Sequence, residues 1–171
     1  MHSNLNTLRV LINACLLTAS LSVVAQTTTT TPPPPPSYGA PISIEQAKKA
    51  MASAEAEARK NNWQVVISIV DTGGHLVMLQ RLDAQNASVD IATGKARTSV
   101  NFRRPTKALE DGLAANGTAL RILAVPGAMP LQGGLPIVVD GKIIGAIGVS
   151  GVTSAQDEIV AKAGADILAV K

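Results

Sequence analysis

Residues 133–158 read GGLPIVVDGKIIGAIGVSGVTSAQDE, and this stretch holds two strand-like runs, a turn and the start of a helix. Asp140-Gly141 is a two-residue turn of the kind that closes a β-hairpin. Gly145 and Gly148 interrupt the second run, and a glycine inside a strand indicates that another group approaches closely. A small-residue strand that enters a helix N-terminus can hold a small anionic or planar ligand, or can be a tight junction without a ligand.

Hydrophobic periodicity upstream predicts a second hairpin with helices on either side. Ser43 opens the first helix with a capping-box pattern. The apolar run 64–70 predicts a central strand buried on both faces, and 75–81 predicts its return strand. Strict alternation along that return strand places Leu76 and Leu79 on opposite sides. The other predicted elements are helices at 88–101, 105–116 and 155–170, a short helical turn at 118–123, and a fifth strand near 129–132.

The order of these elements is α, β, β, α, α, β, β, α. Hairpins join antiparallel strands, so the order predicts an antiparallel sheet and argues against a doubly wound parallel one. Helices before, between and after the hairpins can cover both faces of the sheet. The fold class is therefore α/β, of the α+β type.

The N-terminal segment predicts the cellular location of the protein. Residues 10–25 are mostly apolar and end in small residues, as in a secretory signal peptide cut after Ala25, and the run is short for a bilayer span of about 20 residues. A retained membrane anchor is the alternative. Residues 26–40, rich in threonine and proline, predict a disordered linker, and 41–171 form one domain. We expect a periplasmic or secreted protein without stable membrane insertion after cleavage.

Composition excludes several classes of function. The net charge is only +3, without a basic stripe and with few aromatic residues, so we expect no nucleic-acid partner. Cys15 lies in the signal segment, which leaves the mature chain without a disulfide or a thiolate site. His75 is the only histidine beyond that segment. A multi-histidine zinc site in one chain, and a Ser-His-Asp triad that does not use His75, are thereby excluded.

Several motifs together resemble the GlcG/HbpS family, also described as haem-degrading or DUF336, which includes the C-terminal domain of PduO-type proteins. The matching pieces are VD-x-x-G-H-L, R-L-D, IA-x-x-KA, GGLPI and IGAIGVSG-x-x-x-x-QDE, in order along nearly the whole mature domain. The resemblance implies a profilin-like fold with a five-stranded antiparallel sheet and helices on both faces. It also implies a homo-oligomer, from dimer to octamer, and haem binding in some members.

His75 and three arginines are the first candidate ligand-binding residues. An imidazole can ligate haem iron, so His75 is a candidate axial ligand, although a hydrogen-bonded turn histidine has the same sequence pattern. Arg81 and Arg103-Arg104 could pair with haem propionates or with a small carboxylate, and could equally be surface residues.

The remaining candidates could form the wall and floor of a pocket. Lys95 and Thr98 share a helix face, and Phe102 follows four residues after Thr98, so the three could form one wall, although core packing is the default interpretation of Phe102. The small residues that could line the floor are Gly133, Gly134, Gly148, Ser150 and Gly151.

Two main function classes remain open at this point. The first is an exported, oligomeric protein that binds haem or a related small ligand. The second is an enzyme that acts on a small organic acid or degrades haem. A structural oligomer without a tight ligand is a third. The scarcity of aromatic residues weighs against the first class, and the absence of a nucleophile–base pair weighs against the second.

Overall fold

The computed structural model describes residues 33–169 of the 171-residue chain. The predicted signal peptide, residues 1–25, lies outside the described residues, as do residues 26–32 of the predicted linker. Ser37 and Tyr38, which also fall within the predicted disordered linker, form a short strand. No helix in the described part combines the length and apolarity that a bilayer crossing requires. The strands are β1 (Ser37–Tyr38), β2 (Val66–Asp71), β3 (Leu76–Arg81), β4 (Gly134–Val139) and β5 (Lys142–Ser150). The helices are α1 (Ile44–Lys60), α2 (Ser88–Phe102), α3 (Thr106–Ala114), a 3₁₀ helix (Gly117–Ala124) and α4 (Ser154–Asp166).

Five strands form one sheet, as predicted, but the sheet is mixed. β2 lies between β3 and β5, and β4 pairs with the other side of β5, all antiparallel. β1 instead pairs parallel with the start of β5, with Ser37 opposite Lys142. The expectation of a purely antiparallel sheet is therefore wrong for β1. α1, and not a hairpin turn, follows β1 in the chain. Only a hairpin connection requires the joined strands to be antiparallel, so β1 is free to pair parallel.

The fifth strand predicted near 129–132 does not form. The backbone amide of Met129 donates to Thr98 Oγ1 over 2.7 Å, and that of Gln132 donates to Glu110 Oε2 over 2.5 Å. Because side chains take these amides, they are not available to a strand ladder. The segment is a loop that connects the 3₁₀ helix to β4.

Helices cover both faces of the sheet, as expected. α1 and α4 pack on one face through a core that includes Met51, Ile69 and Ile147. α2 packs on the opposite face, where Ala96 and Val100 contact a smaller cluster with residues of β2 and β5. The β2 run is buried from Val66 to Val70, which confirms the prediction of a central strand.

Local sequence signals explain how the elements begin and turn. Ser43 Oγ accepts from the Gln46 amide over 3.2 Å, and the Gln46 side chain returns a bond to Ser43, which completes the predicted capping box. Asp140 and Gly141 both have positive φ, 49° and 71°. Two such residues are the signature of a type I′ hairpin turn, as the Asp-Gly pair predicts.

Gly148 shows what approaches the glycine-containing strand. A Cβ at this position would overlap the backbone carbonyl oxygen of Ala92 and lie 3.1 Å from the Ala96 Cβ. Both residues belong to α2, so the group that comes close is the helix backbone. Gly148 therefore allows the close packing of α2 on the sheet.

A bulge in β3 changes which side chains share a face. The β2–β3 register shifts between Ile69 and Val70, so that Met78 lies opposite Ile69 while Leu76 lies opposite Val70. Because Val77 is the extra residue, Leu76 and Leu79 both face the α2 side of the sheet. The alternation predicted for these two leucines is wrong, since it assumed an unbroken strand.

Candidate functional site

Lys95 lies on the inner face of α2 and is only 2% exposed. Its Nζ donates to the Val149 carbonyl oxygen over 2.9 Å and to Asp157 Oδ2 over 2.8 Å. This buried ion pair connects α2 to the end of β5 and the first turns of α4. The ammonium group is thus already engaged within the protein.

Asp157 completes the pair and was not among the predicted site residues. Its Oδ1 accepts from the Val152 amide over 3.2 Å. Burial raises the pKa of Asp157, while the Lys95 hydrogen bond and charge act in the opposite direction. The two residues are 62 positions apart, and the acidic first turn of a helix already explains an aspartate there. No sequence pattern could therefore pair it with Lys95.

The predicted floor residues surround this ion pair and leave little space. A Cβ on Gly133 would lie 3.0 Å from Lys95 Nζ and 2.9 Å from the Asp157 Cβ. The Gly134 amide donates to buried Thr106 Oγ1 over 2.9 Å. Ser150 Oγ donates to Ser88 Oγ over 3.4 Å. This geometry favours a tight strand–helix junction, and ligand binding by the glycines, Ser150 or Gly151 stays a prediction.

His75 lies apart from that junction, on the turn between β2 and β3. Its side chain is 84% exposed, and Nδ1 lies 3.4 Å from Asp71 Oδ1. Partial burial alone would raise the pKa of Asp71, but hydrogen bonds from the His75 and Gly73 amides outweigh it and lower that pKa. Asp71 therefore organises the turn as a carboxylate.

Arg81 and Phe102 are also separated from the junction. Arg81, at the far end of β3, donates from Nε to the Ala84 carbonyl oxygen over 2.7 Å. Phe102 is half-buried at the C-terminal end of α2. Arg103 lies beside it and stacks over the Tyr38 ring at 5.9 Å. The structure thus divides the predicted site residues between the junction, the turn and the two ends of α2 and β3.

A groove lies between β3 and α2. We call it the β3–α2 groove. Its volume is about 460 Å³, within the range of small-molecule sites. Leu76 and Leu79 on its floor are 51% and 37% exposed, which is unusual for large apolar side chains on a sheet face. The lining residues are Leu76, Leu79, Val89, Asp90, Thr93, Gly94, Arg97, Gly127 and Met129.

Arg97 supplies the positive charge of the β3–α2 groove. Its Nε donates to the Gly74 carbonyl oxygen over 3.1 Å, which anchors the side chain at the end of the groove nearest the β2–β3 turn. None of the ion pairs within residues 33–169 includes Arg97. Its remaining guanidinium donors can therefore bind an anionic group such as a carboxylate or a phosphate.

Met129 closes the opposite wall of the groove from the loop before β4. Its backbone is held by the buried hydroxyl of Thr98, one of the predicted site residues. Thr98 thus acts on the groove through Met129 and does not line it. In the described residues no group of three histidine, cysteine, aspartate or glutamate side chains could hold a metal ion.

Sequence reasoning missed the lining of the groove for two reasons. The bulge that brings Leu76 and Leu79 together carries no proline or glycine that would signal it. Arg97 occupies an outward-facing position of a helix, where arginine is common, so its position gave no indication of a site. The one available signal was Gly94, a helix-weakening residue at the middle of α2.

The fold and the sequence resemble known proteins over most of the chain. Residues 42–166 match the family model described as haem degrading protein HbpS-like. The chain is 46% identical to Protein GlcG of Escherichia coli strain K12 over 110 residues, which are 64% of this chain and 81% of GlcG.

Two solved structures show the same architecture. A double mutant of Streptomyces reticuli HbpS is 32% identical, with a TM-score of 0.71 over 89% of this chain and 99% of that one. A structure described as a PduOC:Heme complex is 27% identical, with a TM-score of 0.69 over 77% of this chain and 97% of that one. On the family match and these likenesses, the chain belongs to the HbpS-like (DUF336) family.

Proposed function

We propose that this protein binds haem, or a related small ligand with an apolar body and a carboxylate, in the β3–α2 groove. The observation that carries the proposal is the juxtaposition of two exposed leucines with a guanidinium group that has no carboxylate partner among the described residues. The family description and the haem complex of a related fold support the choice of haem.

The residues present fit that group. Leu76, Leu79 and Val89 provide apolar walls for the macrocycle, and Arg97 would hold a propionate. Haem, when bound, supplies an iron centre that accepts an axial ligand and can exchange an electron. The protein's own contribution is to exclude water from the apolar face and to hold the anionic edge.

A haemin titration of the full chain, followed by absorbance, tests this proposal. We expect a saturable Soret shift at one haem per chain. Arg97→Ala should weaken binding about 10- to 100-fold, the usual effect of removing a hydrogen bond to a charged group. Arg59→Ala is the matched control, because Arg59 pairs with Glu55 on the outer side of α1. A titration that does not saturate, or equal losses in both variants, would refute haem binding in the groove.

A small organic acid is the second candidate ligand, and Arg97 is the observation that favours it. If haemin fails to bind while a small carboxylate raises the melting temperature in an Arg97-dependent manner, the groove serves that acid instead. Turnover of the acid would then distinguish an enzyme from a binding protein.

We further propose that the protein is exported and forms homo-oligomers. Residues 1–25 have the pattern of a signal peptide, and mass spectrometry of the cell-envelope fraction would detect cleavage after Ala25. Large apolar side chains are exposed around the 3₁₀ helix, and a shared surface between copies would cover them. These side chains are Leu120, Leu123, Val125 and Leu131.

A further inference from the structure

The thioether of Met129 is the only soft donor among the residues that line the β3–α2 groove. A methionine sulfur is a recognised axial ligand of haem iron. The groove therefore contains, besides its apolar walls and Arg97, one side chain whose chemistry suits an iron atom.

Two independent contacts position Met129. Its amide donates to Thr98 Oγ1 over 2.7 Å, and Thr98 is only 1% exposed, so the backbone is anchored from the buried side of α2. Its side chain lies flat over Gly94, where a Cβ would meet the Met129 Cβ at 3.1 Å, Cε at 3.4 Å and Cγ at 3.5 Å.

Gly94 is thus the cradle for this side chain. A glycine in the middle of a helix costs about 1 kcal/mol relative to alanine. Here that cost accompanies close packing of the Met129 side chain on the α2 backbone, and an alanine at this position would push the side chain outward by a few tenths of an ångström.

The other donors near the groove are less suitable. The His75 ring is exposed on the β2–β3 turn beside Asp71 and does not line the cavity. Thr93 Oγ1 already bonds Ser68 Oγ and the Val89 carbonyl oxygen. Asp90 lines the groove, but a carboxylate is a hard ligand that favours other metals.

We propose that Met129 is the axial ligand of haem bound in the β3–α2 groove. This inference rests on haem binding as proposed above and goes further by assigning the atom that contacts iron. It also assigns Thr98 and Gly94 as the residues that position that atom.

Absorbance spectra and midpoint potentials of the haemin-loaded full chain test the assignment. Thioether ligation of ferric haem gives a near-infrared sulfur-to-iron charge-transfer band, and methionine raises the potential. In Met129→Leu we expect that band to disappear and the potential to fall while the stoichiometry stays the same. Met129→His should give the spectrum of an imidazole-ligated haem without the band. Met78→Leu, on the opposite face of the sheet, is the matched control and should change neither readout.

Thr98→Val provides a readout of positioning. It removes the acceptor for the Met129 amide and keeps the shape, so the band should weaken, and haem affinity should fall by roughly tenfold, as for other outer-shell partners. If the band persists in Met129→Leu, Met129 is not the axial ligand. The same conclusion follows if the wild type binds haem stoichiometrically without the band. Either result overturns the axial-ligand assignment and leaves the proposed haem binding intact. Failure of the wild type to bind haem overturns the proposed function as well.

Discussion

Replacing Lys95 by methionine is the sharpest test of how the α2–β5–α4 junction is held together. The substitution keeps the length of the side chain and removes the charge. It leaves the Asp157 carboxylate buried with backbone amides as its remaining donors, and it deprives the Val149 carbonyl oxygen of its lysine donor. Breaking a buried pair in this way costs about 3–5 kcal/mol. A domain of this size has a total stability of about 5–15 kcal/mol, so Lys95→Met should lose a large part of it.

Urea unfolding followed by the fluorescence of Trp63, the single tryptophan, measures this loss. The same change should lower the melting temperature by roughly 12–20 °C, given about 4 °C per kcal/mol for a domain of this size. The double variant Lys95→Met/Asp157→Leu removes both charges, and apolar replacement of a buried pair is often nearly neutral. We therefore expect it to regain most of the loss. A single variant that loses under about 1 kcal/mol, or a double variant no better than the single, would refute the reasoning.

The pH dependence of the free energy of unfolding provides an independent test of the same ion pair. Burial raises the pKa of Asp157, and removal of Lys95 should raise it further. A carboxyl with a raised folded pKa contributes stability that is complete below its unfolded value, near 4, and is lost as the pH rises through the folded pKa. The stability gap between wild type and Lys95→Met should therefore narrow as the pH falls from 7 towards 4. A stability difference between the two proteins that widens over this pH range would contradict a raised pKa of Asp157.

Three further predictions follow from other contacts. Gly148→Ala should destabilise the fold by about 1–3 kcal/mol in chemical denaturation, because its Cβ would overlap the Ala92 carbonyl oxygen, whereas Gly112→Ala should not, since it meets nothing closer than 3.5 Å. Asp71→Ala should cost stability at neutral pH, and this difference should shrink as the pH falls below about 4 and through the lowered folded pKa of Asp71, because the stability from a carboxyl with a lowered pKa is complete only above its unfolded value; a pH-independent difference in melting temperature would disprove this role. Leu123→Glu should shift sedimentation velocity towards smaller species if the 3₁₀ helix surface joins copies, and an unchanged distribution would count against that surface.

The parts of the fold that depend on local sequence could be predicted well. Ser43 with Gln46, and Asp140 with Gly141, carry their own geometry, so the helix start and the hairpin turn were confirmed. The buried strand 66–70 was predicted from its continuous apolar run. In each case the interaction that determines the structure lies within a few residues along the chain.

What could not be predicted depends on contacts between distant segments. The parallel pairing of Ser37 with Lys142 and the Lys95–Asp157 pair join residues that no periodicity connects. The bulge at Val77 is set by the fit of β3 on β2 and shifts every later side chain to the other face. For that reason the β3–α2 groove emerged only in three dimensions, although its glycine and its arginine were visible in the sequence.

The bulge in β3 has a second effect, on how the protein behaves at high concentration. β3 pairs only with β2 among the described strands, so its outer side presents free backbone donors and acceptors along an apolar strand. Such an edge is a template for pairing with a further strand and for aggregation. A bulge breaks the regular spacing of those groups and twists the edge away from a flat partner. The irregularity that opens the groove to a ligand therefore also protects the sheet from growing by uncontrolled strand addition.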